Sequence, residues 1–154
     1  MINKIRIYDL DGTLIDSMHR YRVKSNNKID LDYWRANQHK AAGDSLLPLC
    51  DDYRASLADP CCFAIVATAR VLGPIDRAFL RDRLGQPQHI ISRAADDSRS
   101  GAELKIKGLN KLFQLKQFKQ VTDIIFYEDN MSYLKAVCDY FNITGVYIPS
   151  KQGH

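Results

Sequence analysis

Two carboxylates stand two positions apart in "IRIYDLDGTLID" (residues 5–16), where an apolar run breaks into a glycine turn. Asp9 and Asp11 in one pocket repel each other, so either one is protonated or a cation holds them together. The chemistry that uses such a pair is phosphoryl transfer through a carboxylate nucleophile. One Asp attacks phosphorus to give an acyl phosphate, while its neighbour protonates the leaving oxygen and later activates water. A hard divalent cation, most naturally Mg²⁺, offsets the charge where carboxylate and phosphate must approach. A calcium loop is a poorer account, because the twelfth position counted from Asp9, a Glu in an EF-hand, is Arg20. A plain turn, in which Asp bonds its local backbone, is the unreactive alternative.

Such carboxylates need a rigid platform, and the chain alternates short β-branched or aromatic runs with helical stretches. Strands are expected at 4–8 ("KIRIY"), 63–68, 89–92, 124–128 and 145–148, and helices at 45–58, 74–85, 101–115 and 131–141. The strands are continuous apolar runs, as a parallel sheet covered on both faces requires, so the expected class is α/β, Rossmann-like and doubly wound. Ligands bind such folds beyond the carboxyl ends of the strands. Residues 15–43 interrupt the first strand-to-helix connection and are too long for an ordinary loop, which predicts a short cap or insert over those ends. The chain, 1–154, is expected to be one domain.

The residues at and just past each strand end therefore carry the chemistry. Thr68 offers a hydroxyl to a phosphate oxygen, or is simply a β-branched strand residue. Arg70 offers a planar fork suited to phosphate. Lys105, in the helix opening at Gly101, could neutralise phosphate charge and keep a nucleophile ionised, with Lys107 as a competitor and solvation as the plain alternative. Glu128 and Asp129 end "IIFYED", a second acidic pair at a second strand end and a source of a metal ligand; a helix N-cap at Asp129 or Asn130 competes with that reading.

In order, "DLDGT", "VATAR", "ELK" and "YEDN" resemble the four motifs of the haloacid dehalogenase (HAD) superfamily of phosphohydrolases. The resemblance implies Asp9 as nucleophile, Asp11 as acid and base, and Thr68 with Lys105 as the phosphate clamp. It implies Mg²⁺ held by the Asp9 carboxylate, the Asp11 carbonyl and Asp129, with Glu128 nearby. Glu128 departs from the commoner Asp or Gly, which makes Asp129 the better direct ligand. Within the superfamily, "RAADDSRSGAELK" (93–105) is similar to the 3′-phosphatase domain of phage polynucleotide kinase-phosphatase, through Arg93, Asp97, Arg99 and Lys105. Arg20 and Arg70 also correspond, whereas an Asp of that family is Gly101 here. The resemblance implies substrate contacts from Arg20, Arg70, Arg93 and Arg99.

Those arginines are expected to form a basic rim, and Tyr33 with Trp34 could stack on a base; surface ion pairs and a small core under the insert are the alternatives. The expected function is a Mg²⁺-dependent phosphomonoesterase acting on a nucleotide or a nucleic-acid 3′-phosphate end. A small-metabolite phosphatase is the enzymatic alternative, and a non-catalytic phosphate- or nucleotide-binding module the one from another class. The partner is a phosphorylated small molecule or nucleic-acid end, and no obligate protein partner is expected.

Composition sets the remaining bounds. Apolar residues make up 45% and charged residues 26%, with a net charge of +4 that favours anionic partners. No run approaches the roughly 18 apolar residues of a membrane span. The short apolar stretch at the N-terminus does not make a secretory signal, so a cytoplasmic protein is expected. Cys50, Cys61, Cys62 and Cys138 lack metal or redox spacing and are expected to be reduced and mostly buried.

Overall fold

The computed structural model describes residues 1–17, Tyr33 and 36–150. Five strands form one wholly parallel sheet: β1 (Lys4–Tyr8), β4 (Cys62–Ala67), β5 (His89–Ile91), β6 (Asp123–Glu128) and β7 (Thr144–Tyr147), in the order β5-β4-β1-β6-β7. β1 is central, pairing β4 from Lys4↔Cys62 to Tyr8↔Val66 and β6 from Lys4↔Asp123 to Tyr8↔Tyr127. The chain runs outward through β4 and β5, then returns to β6 on the other side of β1. That reversal opens a crevice beyond the carboxyl ends of β1, β4 and β6.

Alternate side chains of each strand face opposite layers. Ile5, Ile7, Ile65, Ala67 and Phe126 pack with Leu104, Leu109 and Leu112 of α3 (Gly101–Phe113) and with Leu134 and Val137 of α4 (Met131–Phe141). Tyr8, Val66 and Tyr127 face the other way, onto Cys50 and Tyr53 of α1 (Cys50–Ala58) and Phe79 of α2 (Pro74–Phe79). The doubly wound α/β class is thus observed. Tyr8 is fully buried because its hydroxyl is satisfied by Asp52 Oδ1 at 2.5 Å and Ser56 Oγ at 2.7 Å, while its ring stacks on Tyr127 at 4.8 Å. The residue before Asp9 is therefore immobilised from both sides.

Several boundaries differ from expectation for local reasons. The helix expected from residue 45 begins at Cys50, since Pro48 lacks an N–H and cannot sit in a helix interior. Ser45–Leu46 instead forms a strand, β3, antiparallel to β2 (Ile15–Asp16). The helix expected over 74–85 is α-helical only to Phe79 and widens to a π turn over Leu80–Leu84, closed by the Gly85 N–H on the Leu80 carbonyl at 2.7 Å. α3 starts where the Ser100 side chain accepts from the Glu103 N–H, and α4 where Asn130 accepts from the Tyr133 N–H. Of the insert expected at 15–43, β2 and a 3₁₀ turn at Gln38–Gly43 are described; most of it, including Arg20 and Trp34, lies outside the described residues. All four cysteines are free, with Cys50 and Cys62 buried and Cys61 and Cys138 half-buried. Among the described residues, no helix is long and apolar enough to cross a membrane.

Candidate active site

Asp9 is the first residue beyond β1, and its N–H still donates to the Tyr127 carbonyl of β6 at 3.0 Å, so the ladder aims its side chain. Its Oδ2 accepts from the Thr13 hydroxyl at 3.0 Å, and its Oδ1 from Lys105 Nζ at 2.9 Å. The turn between them closes through the N–H groups of Thr13, Leu14 and Ile15, all on the Leu10 carbonyl. Gly12 has φ +80°, and a Cβ there would collide with Asp129 Oδ2. Glycine is needed on both counts. Gly12→Ala is expected to destabilise the fold by more than ~1 kcal/mol and to push Asp129 out of place, read as a lower Tm.

Lys105 is wholly buried on the inner face of α3, one helical turn from Gly101 and Leu109, and lies over the Phe126 and Tyr133 rings. Its ammonium bridges Asp9 and Glu128, reaching Glu128 Oε1 at 2.5 Å. Lys107 points away, into a groove beside β5 lined by His89, Asp97 and Lys111. Lys105 is therefore the lysine beside Asp9. Glu128 Oε2 accepts from the N–H groups of Asp129 and Asn130, so both Glu128 oxygens are engaged. Both Asp129 oxygens are buried, and neither accepts a hydrogen bond from a described residue.

Burial is the largest single influence on both groups and alone would raise the Asp9 pKa and lower that of Lys105, but their charged partners together outweigh it. Asp9 is held below the usual carboxylate range, helped by Glu128 and Asp129 as hydrogen-bond partners, and Lys105 above the usual ammonium range, helped by Glu128. Burial and the Asp9 charge push Glu128 well up, and Asp129 to about 8. Ligand oxygens of Asp9, Glu128 and Asp129 lie within 4.8 Å of one another. One ammonium thus faces three buried carboxylates. A hard cation fits this place, because both Asp129 oxygens are buried without a well-formed hydrogen bond, and a cation would let Glu128 and Asp129 ionise beside Asp9, where one ammonium cannot offset three charges.

Asp11 faces another part of the crevice. Arg70 Nε and Nη2 reach its two carboxylate oxygens at 2.6 and 3.2 Å, and the Ser17 hydroxyl donates to Oδ1 at 2.9 Å. Arg70 Nη1 also stands 2.8 Å from Asp76 Oδ1. Thr68 is buried just past β4, its N–H on the Ile91 carbonyl and its hydroxyl accepting from the Arg70 N–H at 3.4 Å. Arg93 and Arg99, the other described arginines of the expected rim, are engaged as well. Arg93 donates to the carbonyls of Ala69, Asp97 and Arg99, and Arg99 forks onto Asp97. An open basic rim is not what Arg70, Arg93 and Arg99 form in this state, and Tyr33 is half-buried, with its carbonyl accepting from Asn37.

Sequence reasoning did not single out Thr13, Ser17, Asp76 or Tyr133. Thr13 was within reach, since it lies in the turn four residues from Asp9. Asp76 carries a helix-start signal in "GPID", which predicts a cap and says nothing of Arg70. The ring of Tyr133 fills the space that a side chain at Gly101 would occupy, with Tyr133 atoms 2.5 Å from a Cβ there. No spacing rule signals this contact or that of Ser17.

A family model described as bacteriophage T5 5′-deoxynucleotidase matches residues 1–144. The 5′-deoxynucleotidase of Escherichia phage T5 is 34% identical over 85 residues, covering 52% of this chain and 35% of that protein. The chain thus spans about a third of the length of that curated relative. Among solved structures, a Pnkp1/Rnl/Hen1 complex matches 97% of this chain and 46% of its own at TM-score 0.67 and 17% identity. The HAD domain of the Legionella pneumophila effector Lem4 matches 99% of this chain and 88% of its own at TM-score 0.63 and 10% identity. These likenesses show a HAD-type fold.

Proposed function

The chain belongs to the bacteriophage T5 5′-deoxynucleotidase family, and on that premise we propose that it is a HAD-type phosphoric monoester hydrolase whose substrate is a nucleotide, foremost a deoxynucleoside 5′-monophosphate. The observation that carries this reading is the convergence of Asp9, Lys105, Glu128 and Asp129 at one end of the sheet. Residues 1–154 act as one catalytic unit, with the insert as a short cap.

In this reading the Asp9 carboxylate, kept ionised by Lys105, attacks phosphorus in line with the leaving oxygen. The bond from phosphorus to the nucleoside oxygen breaks, and Asp11, which enters this step in its protonated form, gives that oxygen its proton. Water then attacks the aspartyl phosphate and passes a proton to Asp11. The phosphorus bond to Asp9 breaks, releasing orthophosphate and restoring the Asp9 carboxylate and the protonated Asp11 carboxyl. Thr68 and Lys105 hold the phosphoryl oxygens. Asp9, Asp129 and the Asp11 carbonyl would hold Mg²⁺, which when bound neutralises phosphate and carboxylate charge. Glu128 serves Lys105 and the backbone, which leaves Asp129 as the freer ligand.

A small nucleotide is favoured as substrate, because Arg70, Arg93 and Arg99 are already paired or bonded to backbone. The test compares phosphate release from deoxynucleoside 5′-monophosphates, a 3′-phosphorylated oligonucleotide and sugar phosphates. Turnover of the monophosphates is expected, lost in EDTA and restored by Mg²⁺. Preference for the oligonucleotide with steep salt dependence would move the assignment to nucleic-acid ends. Absence of Mg²⁺-dependent turnover on every ester leaves only a binding module.

A further inference from the structure

Beyond the groups that meet the phosphate, we propose that Asp76 is a positioning residue, which through Arg70 aims the Asp11 carboxylate at the leaving oxygen. The inference rests on Asp11 as the proton donor of the proposed reaction.

Arg70 lies between two carboxylates. One edge of its guanidinium forks onto Asp11, at 2.6 and 3.2 Å, and Nη1 stands 2.8 Å from Asp76 Oδ1. A fork on a carboxylate fixes both groups in one plane, which a single contact cannot do. Asp76 stops that plane from turning. It is itself held, because its Oδ2 accepts from the Gly73 N–H at 3.0 Å at the start of α2. Pro74 sets the first turn of that helix.

The side chains of Arg70, Asp76 and Asp11 are 11%, 4% and 7% exposed, so water does not readily replace any partner. Helix capping alone does not account for Asp76. A cap needs one acceptor oxygen, and burying a whole carboxylate is costly unless its charge is used. Here the second oxygen faces Arg70. From the other side, Ser17 donates to Asp11 Oδ1 at 2.9 Å. Asp11 is thus braced by a backbone-anchored chain running from α2 through Asp76 and Arg70, and by β2-adjacent Ser17.

Asp76→Asn keeps an acceptor for Gly73 and removes the charge that faces Arg70. The readout is kcat/KM for two substrates, since it reports every step through departure of the leaving group. A nucleoside 5′-monophosphate leaves as an alkoxide that needs a proton, whereas p-nitrophenyl phosphate leaves as a stable phenolate. The variant is expected to lose about tenfold to a hundredfold on the monophosphate and less than about threefold on the aryl ester, which needs no such proton. Arg70→Lys, which keeps charge and removes the fork, is expected to show the same split and carries the test should Asp76→Asn not fold. Equal losses on both substrates, or none on either, overturn the inference. A wild-type protein inactive on both with Mg²⁺ present overturns the phosphatase reading itself, a different result.

Discussion

Asp9→Asn is expected to end phosphate release, lowering kcat/KM on a nucleoside monophosphate by about 10⁴-fold or more, as removal of an attacking group does. An amide oxygen has the right shape and almost no nucleophilicity. The fold is expected to survive: the carboxamide oxygen can still accept from Thr13 or Lys105, and Lys105 keeps Glu128 as its counter-charge. Circular dichroism and a Tm close to wild type would accompany the loss. Substantial turnover by this variant, on either a nucleotide or p-nitrophenyl phosphate, would remove Asp9 from the nucleophile's role.

Lys105→Met is the largest expected stability effect. It leaves Asp9, Glu128 and Asp129 buried together without the ammonium between them, and breaking a buried pair in this way costs about 3–5 kcal/mol. For a domain of this size, that is a Tm drop of roughly 6–20 °C. Adding Glu128→Gln removes one of the carboxyl groups that compete for charge in the cluster. The double variant is expected to be more stable than Lys105→Met alone, a non-additivity readable by thermal unfolding. Under the proposed function, in which Asp9 and Asp129 hold Mg²⁺ in the folded state, added Mg²⁺ is expected to recover part of the loss. A Lys105→Met protein as stable as wild type would mean that the acidic cluster does not depend on this ammonium. Activity should fall as well, but stability isolates the electrostatic role from the catalytic one.

The legible part of the site was the part written into backbone position. Asp9 and Asp11 could be found because a strand end and a glycine turn are local signals, and Lys105 sits on the α3 face shared by Gly101, Leu104, Leu109 and Leu112. That period alone separates it from Lys107, so helical spacing already held the choice. The arginines were a different problem. Arg70, Arg93 and Arg99 have similar charge and reach, yet one lies between two carboxylates, one ties loop carbonyls together and one pairs with a neighbour. Those outcomes depend on which donors and carbonyls the tertiary fold leaves unsatisfied, and a linear pattern does not encode them. The start of α1 was misplaced for a readable reason, Pro48, whereas pairing of Ser45–Leu46 with Ile15–Asp16 depends on contacts between distant segments.

The central place of β1 has a consequence for the order in which the molecule opens. A strand paired on both edges exchanges its amide protons only in large openings, whereas a ribbon of two residues per strand can separate at little cost. Asp9 hangs from the former, whereas Ile15–Asp16 and Ser45–Leu46 make the latter. The ribbon can therefore part while the Asp9 carboxylate keeps its position, so the two segments draw on different tiers of the same stability.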